Sequence, residues 1–79
     1  MPVIFMIDCD LTNISPLSNL KNLRFIYLRE NPLKDISPLK KLKKLEHIDL
    51  FRTKVEDLSP LAKLSNLEYI DLRSTKIVS

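Results

Sequence analysis

Ile36-Ser37-Pro38-Leu39 is the stretch on which the fold turns, because it returns as Ile14-Ser15-Pro16-Leu17 and as Leu58-Ser59-Pro60-Leu61, each copy 22 residues from the next. A spacing kept twice is an internal repeat, and a fixed period of this size marks a chain built from stacked, equivalent coils. Carried outward without a gap, the same register aligns Leu20, Leu42 and Leu64; Leu23, Leu45 and Leu67; Ile4, Ile26, Ile48 and Ile70; Met6, Leu28, Leu50 and Leu72; and Leu11, Leu33, Val55 and Ile77. The unit is L-x-x-L-x-x-I-x-L-x-x-(N/T)-x-(L/V/I)-x-D-(I/L)-S-P-L-x-x. No linker interrupts it.

Within a unit, Phe25-Ile26-Tyr27-Leu28-Arg29 alternates with period 2, so Ile26 and Leu28 face one way and Phe25, Tyr27 and Arg29 the other. That is a strand. Further on, Ser37 is a good helix N-cap and Pro38 suits the first helical position, where its missing N–H would be unpaired in any case. A short helical or 3₁₀ turn is expected to follow. Successive units then stack their strands in parallel, roughly 4.8 Å apart, and bury the apolar columns as one core. The column just after each strand holds Cys9, Asn31, Thr53 and Thr75. An Asn amide at that position can donate to and accept from neighbouring turns, and Thr or Cys replaces it only partly.

These repeated columns resemble the leucine-rich repeats, within them the 22-residue type with the I-S-P-L turn seen in bacterial internalins and in a regulatory subunit of protein phosphatase 1. The resemblance covers essentially the whole chain. It implies an α/β right-handed solenoid of about four coils, with a parallel sheet on the concave face and short turns on the convex face. The expected coils are 1–19, 20–41, 42–63 and 64–79, without capping units, which leads to an expectation of end-to-end self-association through the terminal coils.

Composition narrows the chemistry. The 79 residues carry 13 Lys and Arg against 10 Asp and Glu, a net charge of +3 that permits an acidic partner without demanding one. Glycine is absent, which removes phosphate-cradling loops and the dinucleotide fingerprint together. Cys9 is the only cysteine, so neither an intrachain disulfide nor a cysteine-based zinc cluster can form. The longest apolar run, Val3 to Ile7, is far short of the roughly 20 residues of a membrane span and a poor secretion signal, so a soluble, cytoplasmic chain is the default expectation. No cofactor is expected.

The strand positions that face away from the core carry the functional signal. Three columns run across the units: Val3, Phe25, His47 and Tyr69; Phe5, Tyr27, Asp49 and Asp71; and Ile7, Arg29, Phe51 and Arg73. All five aromatic residues of the chain fall among these twelve positions, where a random scatter would place about 0.8. Aromatics there can serve as cross-strand stabilisers. Together with arginine they also make the residue mixture enriched at protein interfaces. Phe5, Phe25, Tyr27, Arg29, His47, Asp49, Phe51, Tyr69, Asp71 and Arg73 are accordingly the candidate protein-binding residues.

Asp49 and Asp71 stand in one column on adjacent strands, a spacing that paired-carboxylate chemistry could use. His47 has no second His or Cys to complete a metal constellation, and the expected use of the aspartates is diagonal pairing with Arg29 and Arg73 or contact with basic groups on a partner. Lys40, Lys41, Lys43 and Lys44 form one dense basic run on the side away from the aromatics, and they read as a solvated surface. Nucleic acid is an unlikely partner because basic and stacking groups are not interleaved. The sequence therefore points to a non-enzymatic module binding another protein through its concave face; a structural segment of a longer array is the alternative.

Overall fold

The computed structural model describes residues 2–77, so the outermost bounds expected for the first and last coils, residue 1 and residues 78–79, lie outside the described residues. Strands β1 (Val3–Phe5), β2 (Phe25–Tyr27), β3 (His47–Asp49) and β4 (Tyr69–Asp71) form one parallel sheet in the order β1-β2-β3-β4. Pairing is in the register of the repeat: Ile4 opposite Ile26, Ile26 opposite Ile48, Ile48 opposite Ile70. The ladder outlasts the strands, since Leu28 N–H donates to the Asp49 carbonyl and Glu30 N–H to the Phe51 carbonyl.

Each coil then leaves the sheet at the same residue. Asp8, Glu30, Arg52 and Ser74, one column of the repeat, have φ of 54°, 62°, 58° and 60°, the left-handed region that favours glycine. In a chain without glycine each of these turns costs about 1–2 kcal/mol, a cost that stacking of the coils has to offset.

On the other side of the core lie three 3₁₀ turns, Ser15–Asn19, Ser37–Leu39 and Ser59–Leu61. Their bonds span three residues, as in Leu39 N–H to the Ile36 carbonyl at 2.9 Å. The expected role of Ser37 as N-cap is corrected here: Ser37 is the first residue of its turn, and Ile36 precedes it with no side-chain cap bond. An acceptor two residues upstream does the capping, as Asp35 Oδ1 accepts from Ser37 N–H at 2.9 Å, Asp57 Oδ1 from Ser59 N–H at 2.8 Å and Asn13 Oδ1 from Ser15 N–H at 2.9 Å. Such Asx turns are the local competitor to a helix cap.

Between sheet and turns sits one apolar core. Ile26, Leu28, Leu33, Leu39, Leu42, Leu45, Ile48, Leu50 and Val55 are completely buried, having a coil on either side. Towards the outer coils burial declines: Ile4, Met6, Leu11, Leu67, Ile70, Leu72 and Ile77 are only partly covered. Asn31 stitches the first two coils as the sequence suggested. Its Oδ1 accepts from the N–H of Cys9 at 2.9 Å and of Leu11 at 3.0 Å, while its Nδ2 donates to the carbonyls of Met6 and Leu28. Thr53 and Thr75 reach only within their own coils, to the carbonyls of Leu50 and Leu72, both at 2.8 Å. The Cys9 side chain is exposed and makes no bond between coils. No helix among the described residues is long and apolar enough to cross a membrane.

Candidate functional site

The alternation that buries Ile26 and Ile48 places their strand neighbours on the concave face, and parallel register sets like columns side by side. In the first column Phe25 meets His47 edge-on, ring centres 5.1 Å apart, and His47 lies 5.8 Å from Tyr69. In the second column Phe5 and Tyr27 stack face to face at 4.6 Å with their planes 6° apart. Phe5 and Tyr27 thus contact each other directly, and His47 bridges Phe25 and Tyr69. Phe5 and Tyr69 remain 65% and 53% exposed. Exposure of that extent means cross-strand packing leaves most of each ring facing water.

The remaining positions form a charged lattice around Phe51. Three guanidinium groups lie over its ring, those of Arg29, Arg52 and Arg73 at 5.2, 5.3 and 5.1 Å from the centroid. Arg29 reaches diagonally to Asp49 on the next strand, Nη2 to Oδ2 at 2.7 Å, as expected from sequence. The second expected diagonal pair does not form. Arg73 bonds Asp71 two residues before it, Nε to Oδ1 at 3.0 Å and Nη2 to Oδ2 at 2.8 Å. Asp49, the carboxylate on the neighbouring strand β3, is already engaged by Arg29, and Arg73 closes on the aspartate of its own coil.

Although they point to the concave side, Asp49 and Asp71 are only 5% and 4% exposed. Both oxygens of each are engaged: Asp49 Oδ1 accepts from Phe51 N–H and Oδ2 from Arg29, and Asp71 accepts from the Arg73 backbone as well as its side chain. The hydrogen bonds from Arg73 hold the Asp71 carboxyl below the ordinary carboxylate range, and Asp71 in turn raises Arg73. A carboxylate so engaged positions guanidinium groups. His47 lies between two aromatic rings. Among the described residues, no group of three or more His, Cys, Asp or Glu could hold a metal ion.

Two residues at the rim escaped the sequence reading. Arg24 packs 5.4 Å over Phe25 and pairs with Glu46, whose carboxyl it holds low, and Arg52 joins the Phe51 cluster. Both flank the strands outside the twelve alternating positions; their signal was direct adjacency to an aromatic, Arg24 to Phe25 and Arg52 to Phe51.

A family model of leucine-rich repeats, two copies per match, fits residues 3–41, 21–63 and 43–79. The chain belongs to the leucine-rich repeat family. Among solved structures, this leucine-rich repeat chain superposes over its whole length on an internalin (inlF) of Listeria monocytogenes, with a TM-score of 0.95 at 29% identity, covering 23% of that chain. An internalin C2 (inlC2) of the same organism matches 86% of the chain at 40% identity with a TM-score of 0.79, and 30% of that internalin is covered. The chain is internalin-like in fold and spans less than a third of the length of these two internalins. Among curated proteins, no sequence matches significantly.

Proposed function

We propose that this leucine-rich repeat chain is a non-enzymatic module that binds another protein through its concave strand face. The observation that supports this reading is the gathering of all five aromatics on that face, with Phe5 and Tyr69 mostly exposed and arginines fixed beside them. Large rings of low conformational entropy, next to guanidinium groups, supply contact area together with directional bonds. Arg29 and Arg73 are held by buried carboxylates before any partner arrives, so less freedom is lost on contact.

The test is affinity capture on the immobilised full chain, followed by titration of the captured protein. Phe5→Ala, Tyr27→Ala and Tyr69→Ala should each weaken binding by roughly 1–3 kcal/mol with the fold intact, while Lys21→Ala should leave it unchanged. Equal losses from Tyr69→Ala and Lys21→Ala would refute the assignment. The same proposal divides the chain into coils 1–19, 20–41, 42–63 and 64–79 and takes stacking of copies through the sheet edges β1 and β4 as a second contact mode. Sedimentation at several concentrations checks it; a concentration-independent monomer would overturn that part alone.

A further inference from the structure

The protein's charge is not spread over its surface. A groove of about 540 Å³ opens on the convex side between the turns Ser37–Leu39 and Ser59–Leu61, lined by Lys34, Lys40, Lys41, Lys43 and Lys63 with Asp35 and Asp57. Five cations against two anions leave this groove at +3, the net charge of the whole chain. The other eight cations of the sequence are matched by the other eight acids. Everywhere else the protein is balanced.

The cations in the groove are also free to bind. All five lysines are exposed, and among the described residues every ion pair uses an arginine, so none of the five has a carboxylate within 4.0 Å. Neither aspartate pairs with them: each accepts from the turn it caps, at Ser37 and Ser59, and their two charges are already counted in the +3. Those hydrogen bonds hold both carboxyl groups below their ordinary range, so the aspartates stay ionised. Like-charged groups crowded along one concavity raise the local concentration of anions.

We infer that this convex groove binds an acidic peptide segment, with side-chain carboxylates of a protein partner seated among Lys40, Lys41, Lys43 and Lys63. The chemistry favours carboxylates on a peptide over a nucleic acid. Single-stranded nucleic acid is held by aromatic platforms on which its bases stack, with arginine adding cation–π contacts. Here all four arginines and all five aromatics belong to the strands or their rims, and none lines the groove. Lysine ammonium groups are flexible point charges that accept anions at irregular spacing without a fixed geometry, so the choice between the two rests on the lining around them. Ile36, Pro60 and Ala62 add an apolar lining that a peptide's aliphatic groups can use and a regular phosphate backbone cannot. The site is separate from the concave face and does not depend on what that face binds.

Fluorescence anisotropy on the full chain tests this with three probes of equal length: oligoglutamate, oligoglutamine and oligouridylate. Oligoglutamate should bind in a salt-sensitive manner and oligoglutamine should not. The triple variant Lys40→Gln, Lys41→Gln, Lys43→Gln should weaken oligoglutamate about tenfold or more, whereas Lys21→Gln, Lys54→Gln, Lys76→Gln, which removes the same charge elsewhere, should change it less than about twofold. All six side chains are exposed, so an unchanged melting temperature certifies the fold of both variants. Equal weakening by the two triples would mean that net charge alone attracts the probe. Tighter binding of oligouridylate would make this a phosphate surface, and absence of oligoglutamate binding at low salt would likewise overturn the inference.

Discussion

Replacing Asn31 tests the account of how the first coil is held. Its amide is 1% exposed and serves two N–H groups of the first coil, of Cys9 and Leu11, and two carbonyls, of Met6 and Leu28. Asn31→Ala removes every one of these partners. Orphaning a buried donor costs about 1–3 kcal/mol, and the two donors here are partly buried, so a loss of about 2–4 kcal/mol is expected. A domain of this size has only about 4–12 kcal/mol in total, so the loss is severe. Asn31→Thr is the sharper comparison. Thr53 and Thr75 show what a threonine does in this column: it returns the bond to the carbonyl of its own coil and reaches no neighbour. Asn31→Thr should therefore recover about 1 kcal/mol of the loss without restoring the stitch. Urea unfolding gives the stabilities, and hydrogen exchange reads the Cys9 and Leu11 amides directly. The reasoning fails if both variants keep wild-type stability, or if those two amides stay as protected in Asn31→Ala as in the parent.

In thermal melts Leu50→Ala, at a completely buried residue of a central coil, should cost about 2–5 kcal/mol and Leu72→Ala, only partly covered in the same column, distinctly less; the reverse order would contradict the stacking described. Glu30→Asn, at φ 62°, should raise stability by about 0.5–1 kcal/mol because Asn tolerates the left-handed region better; a lowered melting temperature would show that the Glu30 side chain has another role. Asp35, Glu46, Asp57 and Asp71 all have carboxyl groups held below their ordinary range. Their contribution is present above the unfolded carboxylate pKa of about 4 and is lost as pH falls through the lower folded values. The melting temperature should thus hold from neutrality to about pH 5 and drop below about pH 4; Asp71→Asn should flatten that drop.

Period and alternation make the core legible in the sequence, because burial between equivalent coils obliges Ile26, Ile48, Leu28 and Leu50 to repeat in register. The aromatic face was legible for the same reason. Polar detail was not, since it depends on competition between near-equal hydrogen bonds. Ser37 satisfies the rule for a helix cap, yet Asp35 reaches Ser37 N–H first. Arg29 and Arg73 occupy the same column with the same type of carboxylate available, yet Arg29 crosses to Asp49 on the next strand and Arg73 closes on Asp71 of its own coil. Alternation puts Asp49 and Asp71 on the outer face, yet they are buried there, because side chains from the neighbouring column close over them.

The gap-free register has a consequence for folding. Apolar columns tell a strand that it belongs beside some coil, but not beside which one: Ile48 would fit against Ile4 as well as it fits against Ile26, so a mispairing by one whole coil keeps the oily contacts intact. What such a mispairing forfeits is the handful of contacts that occur once, Asn31 with the first coil, Arg24 with Glu46, Arg29 with Asp49, Lys44 with Asn22. In a chain of near-identical units these singular polar pairs act as an address, and they separate the correct order of coils from its near-degenerate rearrangements.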